Sequence, residues 1–210
     1  MKKIWDISPP VGPGSPVFEG DTRYCQQWTW RIGANCPVNV SAVTLSPHVG
    51  AHADAPLHYS SQGAAVGSLD LEPYLGPCRV IHALGPGPCV EIDELAHAQA
   101  NLPPRVLLRT CERFAHTSFD PGFKAISPQT LGWLADRGVR LVGIDSASVD
   151  PATSKDLAAH QVLLQRDIRV LENLCLDEVE QGDYELIALP LKWMHCDASP
   201  VRAVLRPLSS

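Results

Sequence analysis

The sequence predicts an α/β fold. Three short, unbroken apolar runs, at 78–84, 105–110 and 140–145, have the make-up of strands buried on both faces. Between the second and third stands a capped helical pattern. Ser127 takes the N-cap position, Pro128 the first turn and Gly138 the C-terminal stop, with Leu131, Leu134 and Ala135 as the buried stripe. Strands alternating with helices define the class. The 210 residues suffice for one domain or two small ones and can bury about 70% of the extended surface. No repeat, low-complexity tract or clear linker divides them, so 1–210 is read as one domain.

Taken in order, residues 1–24 hold Pro9, Pro10, Gly12, Pro13, Gly14 and Pro16 and predict an irregular arm. Phe18, near its end, either staples the arm to the core or lines a pocket; composition alone favours the staple. Residues 26–33 and 38–45 carry β-branched residues in partial alternation and predict strands, the second running straight into a histidine-rich stretch. After the three central runs, Asp156–Gln165 predicts a helix on which His160 shares a face with Leu157 and Leu164. Residues 168–173 read as a strand that places Glu172 in apolar surroundings, which is costly for a carboxylate unless it is paired or metal-bound. Residues 184–192 and 201–206 read as two closing strands.

Residues 46–59 carry the chemistry. His48, His52, Asp54 and His58 follow an H-x3-H-x-D-x3-H spacing. On a helix, Asp54 would point away from the histidine pair, and Gly50 and Pro56 would disturb the coil. In an extended or looping chain the four groups, all at even positions, face one way. The intervening Val49, Gly50, Ala51, Ala53 and Ala55 let the backbone come close to whatever lies there. Neutral imidazole with carboxylate suits zinc, manganese or iron. A lone loop histidine is more often an ordinary surface or core residue; four convergent groups without a Lys or Arg among them point to a metal. His82, His97, His116 and His195 lack ligand-like neighbours and are read as ordinary. Asp145, at the end of a strand, is equally a buried partner or a turn residue.

Net charge is −6 with pI near 5.7, and no Lys/Arg run occurs, which argues against nucleic acid and anionic membrane as partners. Two N-terminal lysines imitate a signal peptide, but Asp6 and Pro9-Pro10 break any apolar core. No run approaches the ~18 apolar residues of a membrane span, so a soluble cytoplasmic protein is expected. The seven cysteines are odd in number and contain no C-x-x-C pair; all are read as reduced and structural. No G-x-S-x-G nucleophile elbow occurs.

The run His48-Val49-Gly50-Ala51-His52-Ala53-Asp54-Ala55-Pro56-Leu57-His58 resembles the H-x-G-[TA]-H-x-D-x-P-x-H signature of the cyclase-like metal-dependent hydrolases. Further stretches (Ile4 to Ser8, Gly143 to Asp145, Leu171-Glu172, Asp183 to Lys192 and Asp197 to Leu205) make the chain similar, nearly end to end, to the bacterial kynurenine formamidase (arylformamidase) group within them. The resemblance implies a swivelling β/α domain with a mixed central sheet, two Zn2+ per subunit with Mn2+ or another divalent metal as substitutes, and a homodimer. The implied reaction hydrolyses N-formyl-L-kynurenine to L-kynurenine and formate during tryptophan breakdown. By the same carry-over, His48 and His52 bind the first metal, Asp54 and Glu172 bridge, His160 binds the second, and His58 donates and accepts protons. The substrate-facing aromatic position falls on Phe18, where the group commonly has Trp. The chemistry is consistent: two cations about 3.5–4 Å apart lower the pKa of a shared water toward ~7. The competing readings are ring opening of a cyclic amide such as isatin, and a non-catalytic metal-binding protein.

Overall fold

The doubly apolar runs form the middle of a nine-stranded mixed sheet in the computed structural model, which describes residues 3–208. Met1 and Lys2, part of the signal-like opening weighed above, lie outside them. Four parallel strands make the centre: β5 (Leu75–His82), β7 (Arg105–Arg109), β9 (Leu141–Ile144) and β10 (Arg169–Glu172). On the β5 side the sheet continues antiparallel through β11 (Gly182–Ile187), β13 (Val204–Pro207) and β1 (Trp5–Asp6). On the β10 side it continues antiparallel through β4 (His52–Asp54) and β12 (Ala198–Pro200).

Alternation along these strands supplies two cores. One face packs Cys78, Val80, Leu107, Leu141 and Leu171 against Leu174, Leu176 and Val179. The other packs Ile81, Val106, Leu108, Val142, Ile144 and Val170 under two helices, α3 (Pro128–Ala135) and α4 (Ala158–Arg166). Ser127 caps α3 as expected, its hydroxyl accepting from the Thr130 N–H, and Gly138 past its end has φ +83°. Leu163 of α4 is 1% exposed, a burial worth about 1.5–3 kcal/mol.

Several expectations need correction. The α4 stripe is Ala159, His160 and Leu163; Leu157 is the N-cap, in left-handed backbone, and Leu164 is only half-buried. The two closing strands form and pair with each other as β11 and β13, but β11 ends at Ile187, and an additional strand between them in sequence, β12, joins the opposite edge of the sheet beside β4. Residues 26–33 and 38–45 do form strands, β2 (Cys25–Trp30) and β3 (Val40–Thr44), but as a separate hairpin outside the main sheet. That hairpin exposes Trp28, Trp30, Val40 and Val43. All seven cysteines are free thiols. No helix among the described residues is long and apolar enough to cross a membrane.

Candidate metal centre

The histidine stretch takes three conformations in succession, and parity accounts for only part of its convergence. His48 sits in a turn, His52 and Asp54 lie on β4, and His58 lies on the short helix α1 (Pro56–Tyr59), for which Pro56 is the first residue rather than a disturbance. Gly50 makes the turn possible: its φ is +71°, and a Cβ there would sit 2.4 Å from Val11 Cγ2 of the arm. Pairing does the rest. His52 opposes Glu172 in the β4–β10 register, so the two side chains share a face. That is the helix-covered face, from which α4 brings in His160.

The five side chains meet. His48 Nδ1 lies 3.1 Å and His52 Nε2 3.3 Å from Asp54 Oδ1; His52 Nε2 is also 3.3 Å from Glu172 Oε2. His160 Nε2 lies 3.5 Å from Asp54 Oδ2 and 3.7 Å from Glu172 Oε1. His52, Asp54, His160 and Glu172 are each 3% exposed or less.

Each imidazole has its orientation set by an acceptor on its far side. His52 Nδ1 is 2.9 Å from the Gly50 carbonyl, His160 Nδ1 2.7 Å from Asp150 Oδ2, and His48 Nε2 2.9 Å from Asp197 Oδ2. These oxygens only accept, so each far nitrogen carries the proton and the inward one presents a lone pair. Glu172 Oε1 accepts from the Val149 N–H, fixing the carboxylate.

His52 Nε2, both Asp54 oxygens and His160 Nε2 are buried with no hydrogen-bond partner, because they aim at a common point rather than at one another. Native proteins seldom leave such groups unsatisfied. Donors held about 2.0–2.1 Å from a tetrahedral cation lie roughly 3.3 Å apart, close to the separations seen. The set therefore fits one or more divalent cations. Three groups of three converge here among the described residues: His48 with His52 and Asp54, Asp54 with His58 and His160, and, at the rim, His48 with His58 and Asp197.

The electrostatics agree. Burial alone would depress the buried histidines, but Asp54 and Glu172 beside His52 raise it to about 10, and Asp150 and Asp54 raise His160 equally. Burial would raise the Asp54 carboxyl, but His160, His48 and His52 hold it well below the usual range. The cage calls for positive charge, and protons or cations can supply it.

His58 occupies the rim. Its Nδ1 is 3.2 Å from Asp197 Oδ2, and its ring centre is 4.4 Å from that of His48. A cavity of about 320 Å³ reaches the centre at His48, and its wall also includes Phe18, Arg113, Phe119, Phe123 and Asn173. Phe18 lines this cavity, its ring tilted against that of Phe119 with centres 4.7 Å apart, where composition alone favours a staple.

Sequence reasoning missed Asp150 and Asp197. Asp150 accepts from the backbone N–H groups of Ala159 and His160 at the start of α4; an acidic residue ahead of a helix is the signal that could have found it. Asp197 carried no local signal. Asp145 is no turn residue: it is buried and accepts from Thr110 and Cys111, anchoring the loop that walls the cavity. Burial raises its pKa, although those hydrogen bonds oppose the shift.

The cyclase family model, described as "Putative cyclase", matches residues 5–151. The kynurenine formamidase of Bordetella pertussis is 62% identical over 209 residues, covering all of both chains. That of Delftia acidovorans is 63% identical over 208 residues, 99% of each. A solved structure titled as a potential metal-dependent hydrolase with cyclase activity superposes with a TM-score of 0.85 at 26% identity, covering both chains fully. An isatin hydrolase structure gives 0.84 at 20% identity, covering 99% of this chain and 93% of its own, a likeness of fold alone. By sequence and architecture, the chain belongs to the cyclase family of metal-dependent hydrolases, alongside the bacterial kynurenine formamidases.

Proposed function

We propose that this single-domain protein hydrolyses N-formyl-L-kynurenine to L-kynurenine and formate, using divalent metal held by the cage. The observation that carries the reading is that a cage of unpartnered metal-donor atoms opens, through His48, onto an aromatic-walled cavity. Identity of 62% to a kynurenine formamidase supports the choice of substrate.

In this reading His48 and His52 would hold one cation and His160 the other, with Asp54 and Glu172, each offering two oxygens, serving both. Two Zn2+ per subunit fit the donor set, and Mn2+ is a workable substitute. When bound, the pair supplies an acidified water and positive charge near the formyl oxygen. Asp150, Asp197 and the Gly50 carbonyl keep the imidazole lone pairs turned inward. Asp197 also accepts a hydrogen bond from His58 Nδ1–H, leaving Nε2 to carry a proton to the departing aniline nitrogen. Phe18, with Phe119 and Phe123, meets the substrate's ring. Lys124 on the same wall is engaged by Glu94 and the Ala83 and Gly85 carbonyls, so Arg113 is the cation left for the substrate carboxylate. Cytoplasmic operation as a homodimer completes the reading; the exposed hairpin supports self-association.

The discriminating test runs metal-loaded protein against formylkynurenine and isatin in parallel, following formate release and ring opening. Formate release with little isatin turnover is expected. The reverse would move the assignment to a cyclic amide, and neither would leave a metal-binding protein without catalysis.

A further inference from the structure

A second group of metal-donor side chains lies outside the cage. His116, Cys175 and Asp177 bring a ring nitrogen, a thiol sulfur and a carboxylate oxygen within 4.8 Å of one another. In sequence His116 looked ordinary and Cys175 structural; 59 residues separate them, and only the fold brings them together. The three do not satisfy one another. His116 Nδ1 is buried without a hydrogen-bond partner, so the group is not a hydrogen-bonded Cys–His–Asp relay. Asp177 uses Oδ1 to accept from the Phe114 N–H, which fixes the carboxylate and leaves Oδ2 available. Phe114 also packs edge-on against the His116 ring at 5.2 Å.

We propose that His116, Cys175 and Asp177 form a separate site for a thiophilic divalent cation of the zinc class, which staples the cavity loop to the segment following β10. The donor chemistry supports this: thiolate, carboxylate and neutral imidazole sum to two negative charges, balancing one divalent ion, and sulfur selects against Mg2+ and Ca2+. Donors around a tetrahedral zinc sit roughly 3.3–3.6 Å apart, so the cluster closes by small side-chain rotations. All three residues are half-buried, which leaves the fourth position to water. The location gives the staple its consequence. His116 lies in the loop that contributes Arg113, Phe114, Ala115, Ser118 and Phe119 to the cavity wall. Cys175 follows Glu172 of the cage and Asn173 of the same wall by three and two residues. An ion here ties the substrate-facing loop to the strand that carries a cage carboxylate.

Cobalt distinguishes the two sites, because the cage holds no sulfur. Metal-free protein titrated with Co2+ should develop a near-ultraviolet thiolate-to-cobalt charge-transfer band in the wild type and in Cys111→Ser. The band should vanish in Cys175→Ser, and His116→Ala should need at least about tenfold more Co2+ to reach it. No band in wild type, or a band that survives Cys175→Ser, would overturn the proposal without touching the cage. A measurement independent of variant folding uses the wild type alone: Zn2+ should slow iodoacetamide labelling of Cys175, mapped by peptide mass, and slow amide exchange across 111–120. Labelling and exchange indifferent to Zn2+ would reject the site.

Discussion

His58 and Glu172 divide the work at the centre between proton transfer and metal retention. His58 is half-exposed and held by Asp197, so His58→Ala should keep its metal and lose about 10²–10⁴-fold in turnover. Glu172 is buried against His52 and His160, and Glu172→Ala should instead lower metal content, read by elemental analysis. Normal turnover in metal-loaded His58→Ala would take that residue out of the mechanism, and full occupancy in Glu172→Ala would remove it from the cage. The same side chains set a pH dependence. In metal-free protein His52 and His160 stand near 10 against an ordinary 6.5, so the folded state holds protons that the unfolded chain gives up. Their stabilisation is complete below pH 6.5 and is lost as pH rises through about 10. Asp54, held below 3.8, acts oppositely: its contribution is present above 3.8 and lost in acid. Calorimetry of chelated protein should therefore show the melting temperature falling from pH 6.5 toward 10, and metal loading should flatten that fall. Identical profiles with and without metal would mean that cations and protons do not share these nitrogens.

At the scale of elements, the site depends on how short pieces are butted together. Helix α1 carries His58 over one turn only and has no buried residue of its own to fix it. Its position comes from neighbours: the Leu57 N–H donates to the Ala64 carbonyl, and Gly63 packs directly on Pro56. A Cβ at Gly63 would lie 2.2 Å from the Pro56 carbonyl carbon, a backbone atom that cannot swing aside as a side chain does. Gly63→Ala should cost about 1–3 kcal/mol of stability by denaturant titration. It should also lower kcat, since a shift of about 1 Å at a proton-transfer group costs on the order of 10²-fold, while metal content stays near wild type. Unchanged kcat would show that α1 relaxes without moving His58. The β4–β10 pair is the other such device. Its register sets His52 opposite Glu172, and a slip of β4 by one residue would send His52 and Asp54 to the face opposite Glu172.

For the molecule as a whole, the centre sits between the parallel middle of the sheet and its antiparallel flank, where β10 meets β4, with α4 as the lid on that face. The β2–β3 hairpin stands apart from the main sheet, with nearly all of its residues exposed. Trp28 and Val43 stand 46% and 48% exposed on one face and, past the register shift, Trp30 stands 57% exposed beside Val40 on the other, apolar surface that a second copy of the chain would cover. Sedimentation should find a dimer for the wild type and a monomer for the Trp28→Ser, Trp30→Ser double substitution, with unchanged far-ultraviolet circular dichroism. A monomeric wild type would end the homodimer reading.

Local pattern determined a good deal by itself. Doubly apolar runs announced the parallel strands because burial on both faces leaves no room for polar alternation, and Ser127-Pro128 announced α3 because capping is a local hydrogen-bonding problem. The clustering of His48, His52, Asp54 and His58 was legible because it lies within eleven positions. His160 and Glu172 were visible as oddly placed polar residues, and the resemblance to a family supplied their roles. What only the tertiary structure decided is which distant groups touch. Asp197 under His48 and His58, Asp150 behind His160, and His116 beside Cys175 are contacts across strands and loops. Such pairs leave no period or spacing in the chain, because their proximity is created by the order in which the strands of one sheet are laid side by side.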